Sequence, residues 1–188
     1  MKSTNYQDEK SFRERYTTGR VLRDGASVVF RSIKCSDQGM FRDFFKSLSP
    51  ASVHFRFFEM IKDLPNETVE KYCNIDYNQE MAIVALPRGE DKIVAVARLE
   101  IDSERRRGEF ALTVADAWQG LGLGEELLNY LIVIACDYEL LEIHCFVSSD
   151  NARMIRLAQK AGLKVKSSEC DILELSLMLY EFDNTPIA

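Results

Sequence analysis

The eight residues from Trp118 to Glu125, WQGLGLGE, hold glycines at 120, 122 and 124 immediately before an apolar run. A glycine-rich turn that opens a helix is a physical device for holding phosphate. Glycines let the backbone curl so that successive N–H groups point at one spot, and the helix N-terminus adds unsatisfied donors and partial positive charge. Two nucleotide-binding versions of this device do not fit. Position 125 is Glu, so the stretch is not G-x-G-x-x-G, and no acidic residue closes a following strand at the distance that reads a ribose. No lysine follows the last glycine, and Glu125 and Glu126 are poor company for a triphosphate and its Mg²⁺. What the stretch does fit is Q-x-x-G-x-G, filled by Gln119, Gly122 and Gly124.

The surroundings of that turn follow from periodicity. With 188 residues, 46% of them hydrophobic, and no linker-like segment, the chain has material for one core. Residues 1–27 read as an N-terminal extension to a domain over 28–188. Asp24-Gly25 between apolar stretches predicts a hairpin, with a strand continuing to about Ile33. SDQGMFRDFFKSLSP predicts a helix with Ser36 as N-cap, and SVHFRFFEMI and PNETVEKYC predict two more. MAIVALP, KIVAVARLEI and EFALTV then read as three antiparallel strands, parted by RGED and DSERRRG. Past the glycines, EELLNYLIVIACDY is a helix packed on a sheet, LEIHCFV a strand, NARMIRLAQKAG an amphipathic helix and ILELSLMLY a last strand. The predicted class is α/β (α+β), with a mixed, mostly antiparallel sheet of six to seven strands flanked by helices.

Charge and cysteine usage exclude several functions. A net charge of −6 argues against a protein that tracks nucleic-acid phosphates. The opening MKSTNYQDEK has no apolar segment, and the longest apolar run, YLIVIAC, falls short of the roughly 18–20 residues a membrane span needs, so a soluble cytoplasmic protein is expected. Five cysteines without CxxC spacing suit a reducing compartment, and the two histidines, His54 and His144, stand in no ligand spacing, so no metal is expected.

The Q-x-x-G-x-G turn between a fourth strand and a buried helix resembles the signature of the GCN5-related N-acetyltransferases. That resemblance implies coenzyme A as the phosphate ligand, with its pyrophosphate held by the amides of Gln119, Gly120, Leu121, Gly122, Leu123 and Gly124. Within the family, LRDGASVVFRSIKCSD, FFKSLSPASVHFRFF and GEFALTVADAWQGLGLGEELL are similar to the acetyltransferase domain of bacterial Pat-type protein lysine acetyltransferases, which act on acyl-CoA synthetases and other proteins. The likeness implies acetyl-CoA as co-substrate, a protein lysine as acceptor, Glu109 as general base and a coenzyme contact at Asn151. It also exposes two departures. No synthetase-like or cyclic-nucleotide-binding module is expected within these 188 residues, and the general-acid tyrosine of many members is replaced by Ala158.

The chemistry sets its own demands. Acetyl transfer from a thioester to an amine needs a neutral amine in line with the carbonyl, a proton acceptor and polarisation of the carbonyl oxygen. Phosphates at the end of the fourth strand send the pantetheine arm back beside it, where Leu112, Thr113 and Val114 offer main-chain groups. Glu109 lies upstream on that strand, about 10–17 Å from those residues. Flanked by Phe110 and Ala111, its carboxyl is expected to be desolvated. An exposed strand residue beside Arg107 is the plainer alternative for Glu109, and a helix cap the plainer one for Asn151. Arg105–Arg107 reads as a solvated turn, Trp118 as a packing residue and the SPASVHFRFF aromatics as walls of the acceptor side. A small-amine acetyltransferase, for example one acting on a polyamine, and a non-catalytic coenzyme A sensor stay open as rivals.

Overall fold

A computed structural model of the chain describes residues 14–104 and 106–180. The first 13 residues of the expected extension, Arg105 of the arginine run, and residues 181–188 lie outside the described residues. Eight strands form one sheet in the order β1-β2-β3-β4-β5-β6-β8-β7: β1 (Thr18–Val21), β2 (Ser27–Ser32), β3 (Glu80–Pro87), β4 (Ala95–Ile101), β5 (Arg107–Val114), β6 (Glu142–Ser148), β7 (Lys164–Glu169) and β8 (Ile172–Met178). Every neighbouring pair is antiparallel except β5 and β6.

The sheet has one or two strands more than predicted; its edges are β1, the outer strand of the expected hairpin, and β7. β1 pairs with β2 through the Asp24-Gly25 hairpin, where Gly25 takes φ 87° and the Leu22 amide donates to the Ala26 carbonyl at 2.8 Å. The boundary expected at residue 28 therefore falls inside β2. β7 escaped prediction because all six of its residues are exposed, leaving no alternation to read.

Helices α1 (Gln38–Lys46), α2 (Pro50–Phe57) and α3 (Asn66–Cys73) cover one face of the sheet, packing Phe41, Phe44, Phe45, Val53 and Val69 onto Ile33, Val84 and Val96. α4 (Leu123–Asp137) and α5 (Ala152–Lys160) cover the other face, against Phe30, Ile83, Leu99 and Phe110. α1 starts two residues after the expected cap. Ser36 lies in a short 3₁₀ turn, and Asp37, whose carboxylate takes Arg31 at 2.6 and 2.9 Å and the Lys34 amide at 2.8 Å, marks the start instead. Ser49 caps α2 by accepting from the Ser52 amide at 3.2 Å, with Pro50 in the first turn, where a missing N–H costs nothing.

Candidate active site

The parallel pair creates the site. β5 and β6 stay in register for three residues only, Arg107, Gly108 and Glu109 facing Glu142, Ile143 and His144. Past Glu109 the strands run on, to Val114 and Ser148, without pairing. The wedge between them belongs to a groove of about 910 Å³, walled by residues 110–114 of β5, 145–147 of β6 and the side of α2, with the glycine turn at its head.

The bonding of β5 to β4 decides which backbone groups reach the wedge. The Ala115 amide donates to the Val94 carbonyl at 2.9 Å. Bonded pairs alternate along an antiparallel ladder, so Ala111 and Thr113 point their peptide groups at β4 while Leu112 and Val114 point theirs into the wedge. Thr113 is thus the exception among the three expected contacts: its backbone serves β4 and its side chain is buried on the α1–α3 side.

The turn is built from conformations that select glycine. Gly120 and Gly122 have φ of 82° and 91°, a region L-residues rarely occupy. Gly124 is needed for closeness, since a Cβ there would stand 3.3 Å from Leu157 Cδ2 and 3.7 Å from Leu112 Cδ2. Leu123 is buried, and the Leu121 carbonyl accepts from the Arg23 amide at 3.3 Å, fastening the turn to the β1–β2 hairpin. Gln119 uses its side chain inside the protein: Nε2 donates to the Val114 carbonyl at 2.9 Å and Ser52 Oγ at 3.3 Å, and Oε1 accepts from Arg153. The acidic pair after the glycines is occupied too. Glu125 is held by Lys160 at 2.7 Å and by Arg23, which keep its carboxyl below the usual range, and Glu126 meets Arg20 at 3.4 Å.

Asp116 clamps this loop to α2, across 67 residues of sequence. Its carboxylate accepts from the Ser49 amide at 2.9 Å, Ser49 Oγ at 2.7 Å and Ser52 Oγ at 3.0 Å. Burial alone would raise its pKa, but those hydrogen bonds outweigh it and hold the carboxyl below its ordinary value. Asn151 lines the groove and caps α5, its Oδ1 accepting from the Met154 amide at 3.1 Å. Ala158 is fully buried in the core, so that helix position presents no side chain to the groove.

Glu109 stands at the apex where the strands separate, and it lines the groove. The expected desolvation is not met: Phe110 turns to the opposite core and Glu109 is exposed. His144 is its register partner on the same sheet face. Burial lowers the pKa of His144, Arg107 adds to that, and Glu109, Glu174 and Glu142 oppose it. Arg107 is more than part of a solvated turn, bonding Glu142 at 2.9 Å and Glu174 at 3.0 Å while Lys166 reaches Glu142 at 2.8 Å. Trp118 packs, half-buried, against both cores. Sequence reasoning missed Arg56 and Phe146, both groove-lining, and the Asp116 clamp. Among the described residues, no cluster of three or more His, Cys, Asp or Glu could hold a metal, all five cysteines are free, and no helix is long and apolar enough to cross a membrane.

A glycine turn at a helix N-terminus, continued by a strand edge that β6 leaves unpaired past Glu109, fits a long phosphate-bearing thioester such as acetyl-CoA, and this fold and site define an acyltransferase. The profile of the Acetyltransferase (GNAT) family matches residues 46–163, and the chain belongs to that family, as an acetyl-CoA-dependent N-acetyltransferase. It is 36% identical over 143 residues to an acetyltransferase of Pseudomonas aeruginosa, covering 75% of this chain and 77% of that one. Among solved structures, the GNAT domain of S. lividans PAT superposes with a TM-score of 0.83 at 25% identity, covering 88% of this chain and 98% of that one. A spermidine N-acetyltransferase from Vibrio cholerae, solved with CoA and spermine, shares the fold at a TM-score of 0.69 and 18% identity, over 80% of this chain and 95% of that one.

Proposed function

We propose that this enzyme acetylates lysine side chains of proteins, an acyl-CoA synthetase among them, with Glu109 as general base. The observation that carries the reading is the place of Glu109: the last residue before β5 and β6 part, its carboxylate turned into the groove. Acetyl-CoA supplies the acetyl group as a thioester. The amides of residues 120–124 receive its pyrophosphate, with the Gln119 amide spent on the Asp116 carbonyl at 3.3 Å, and the Leu112 peptide group and the Val114 amide hold the arm along β5. Asn151 serves as the cap of α5 at the groove wall. Glu109 takes the proton of the attacking amine through water, and the amine attacks directly, so no acyl group is carried on the protein. With alanine at 158, thiolate protonation falls to water or to the amine. Of the residues expected to precede the catalytic domain, those of β1 belong to its sheet as an edge strand.

Support for a protein acceptor comes from the likeness to the S. lividans PAT domain and from the groove itself, which Arg56 lines together with Glu109. The polyamine reading is favoured by the Vibrio cholerae spermidine N-acetyltransferase fold alone. Acetyl transfer followed by mass spectrometry separates them. Wild type and Glu109→Gln are run against a purified acyl-CoA synthetase and a polyamine panel. Acetyl-lysine on the synthetase, lost in the variant, is the expected result; transfer to polyamines alone would end the protein-lysine reading.

A further inference from the structure

Of the charged groove residues without a role in the chemistry above, Arg156 and Asp150 are exposed and Arg56 is half-buried. Arg56, in the last turn of α2, lines the groove together with Phe55, Phe58 and Glu109. Its guanidinium lies 5.0 Å from the Phe57 ring centroid, and it forms no hydrogen bond or ion pair with a described residue. Five other described arginines are buried or half-buried, and each is anchored: Arg20 on Glu126, Arg31 on Asp37, Arg42 on Asn66 and the Leu64 carbonyl, Arg98 on Glu80, and Arg107 on Glu142 and Glu174. Arg56 alone among them is not.

The charges around it leave that deficit open. Arg98 repels it and is itself spent on Glu80 at 2.6 Å and the Tyr72 carbonyl at 2.9 Å. Tyr72, Glu100 and Glu109 favour its charge, but none of them forms a hydrogen bond or ion pair with it. Burial, the largest influence, pushes the guanidinium below its usual value, the behaviour of a cation short of an anion. An uncompensated guanidinium held against an aromatic wall is costly unless a ligand brings the counter-charge, and a planar fork suits a carboxylate. The phosphates of the coenzyme belong at the glycine turn, at the other end of β5. What arrives on the Glu109 side is the acceptor.

We propose that Arg56 reads a carboxylate beside the reacting amine, so that the enzyme selects lysines flanked by an acidic residue. This rests on the protein-lysine reading. A polycation gains nothing from Arg56 and is repelled by it.

Three synthetic peptides, identical except for Asp, Ser or Lys on both sides of a single lysine, are assayed with wild type, R56Q and R56E, alongside spermidine. Retained thermal stabilisation by coenzyme A checks that each variant is folded. Wild type is expected to favour the Asp peptide over the Ser peptide by about tenfold in kcat/KM, mostly through KM. R56Q should bring the Asp peptide down to the Ser value and leave the Ser value unchanged, and R56E should turn the preference toward the Lys peptide. Equal wild-type kcat/KM on the three peptides would overturn the proposal, as would an R56Q variant that loses kcat equally on all of them, the mark of a transition-state role. Turnover of spermidine with none of any peptide would instead overturn the protein-lysine reading, and the proposal with it; no turnover of any acceptor contradicts both.

Discussion

Glu109 and His144 face each other at the last rung of the parallel ladder, and each makes a separate prediction. If Glu109 is the base, Glu109→Gln should lower kcat by about 10²–10⁴-fold while coenzyme A affinity, read by calorimetry, stays unchanged, because its carboxylate lies away from the phosphate turn. His144 speaks to stability. Its pKa is lowered in the folded protein, so the unfolded chain binds its proton first on acidification and the folded state loses free energy as pH falls below about 6.5, until the folded pKa is passed. Wild-type Tm should therefore drop over that window more than the Tm of His144→Gln; parallel slopes would show that the histidine makes no such contribution. Glu109 was legible as a carboxylate on the strand leading to the glycines. Arg56 was not, because in HFRFF the aromatic pattern reads as helix core and nothing local says that one guanidinium goes unpartnered.

Among elements, the turn between β5 and α4 was the most legible, since positive φ at Gly120 and Gly122 leaves a local trace as glycine. Gly122→Ala should destabilise the fold by about 1–2 kcal/mol and weaken coenzyme A binding, the added Cβ both straining the backbone and standing 3.3 Å from Arg23 Nε. Urea unfolding and a coenzyme A titration check both parts. The Asp24-Gly25 hairpin was legible for the same reason. Two other features were not. β7 carries no buried residue and hence no period, and the bond from Asp116 to Ser49 and Ser52 joins residues too far apart in sequence for any local pattern to announce. Ser36 looked like a cap because it precedes an apolar helix, but Asp37 was drawn into place by Arg31.

At the scale of the molecule, the sheet is joined tightly by its antiparallel ladders and loosely at one seam, where β5 and β6 share three rungs. The groove is this seam. A ligand lying in it should supply the bonds the strands do not make to each other, and the free energy of binding then adds to stability, about 2.7 kcal/mol at a ligand concentration of 100 Kd. Amide exchange should register the bonding parity: with coenzyme A bound, the Leu112 and Val114 amides slow, while Thr113, already bonded to β4, changes little. Equal protection at all three positions would mean that the arm does not follow the β5 edge.

The account stands or falls on acetyl transfer to a protein. The most direct measurement is intact-mass and peptide mass spectrometry of a purified acyl-CoA synthetase incubated with acetyl-CoA and either wild type or Glu109→Gln. A gain of acetyl groups on lysine with wild type, and its loss with a variant that still binds coenzyme A, is the predicted result. An unmodified synthetase beside acetylated small amines, or a Glu109→Gln variant as fast as wild type, would contradict it.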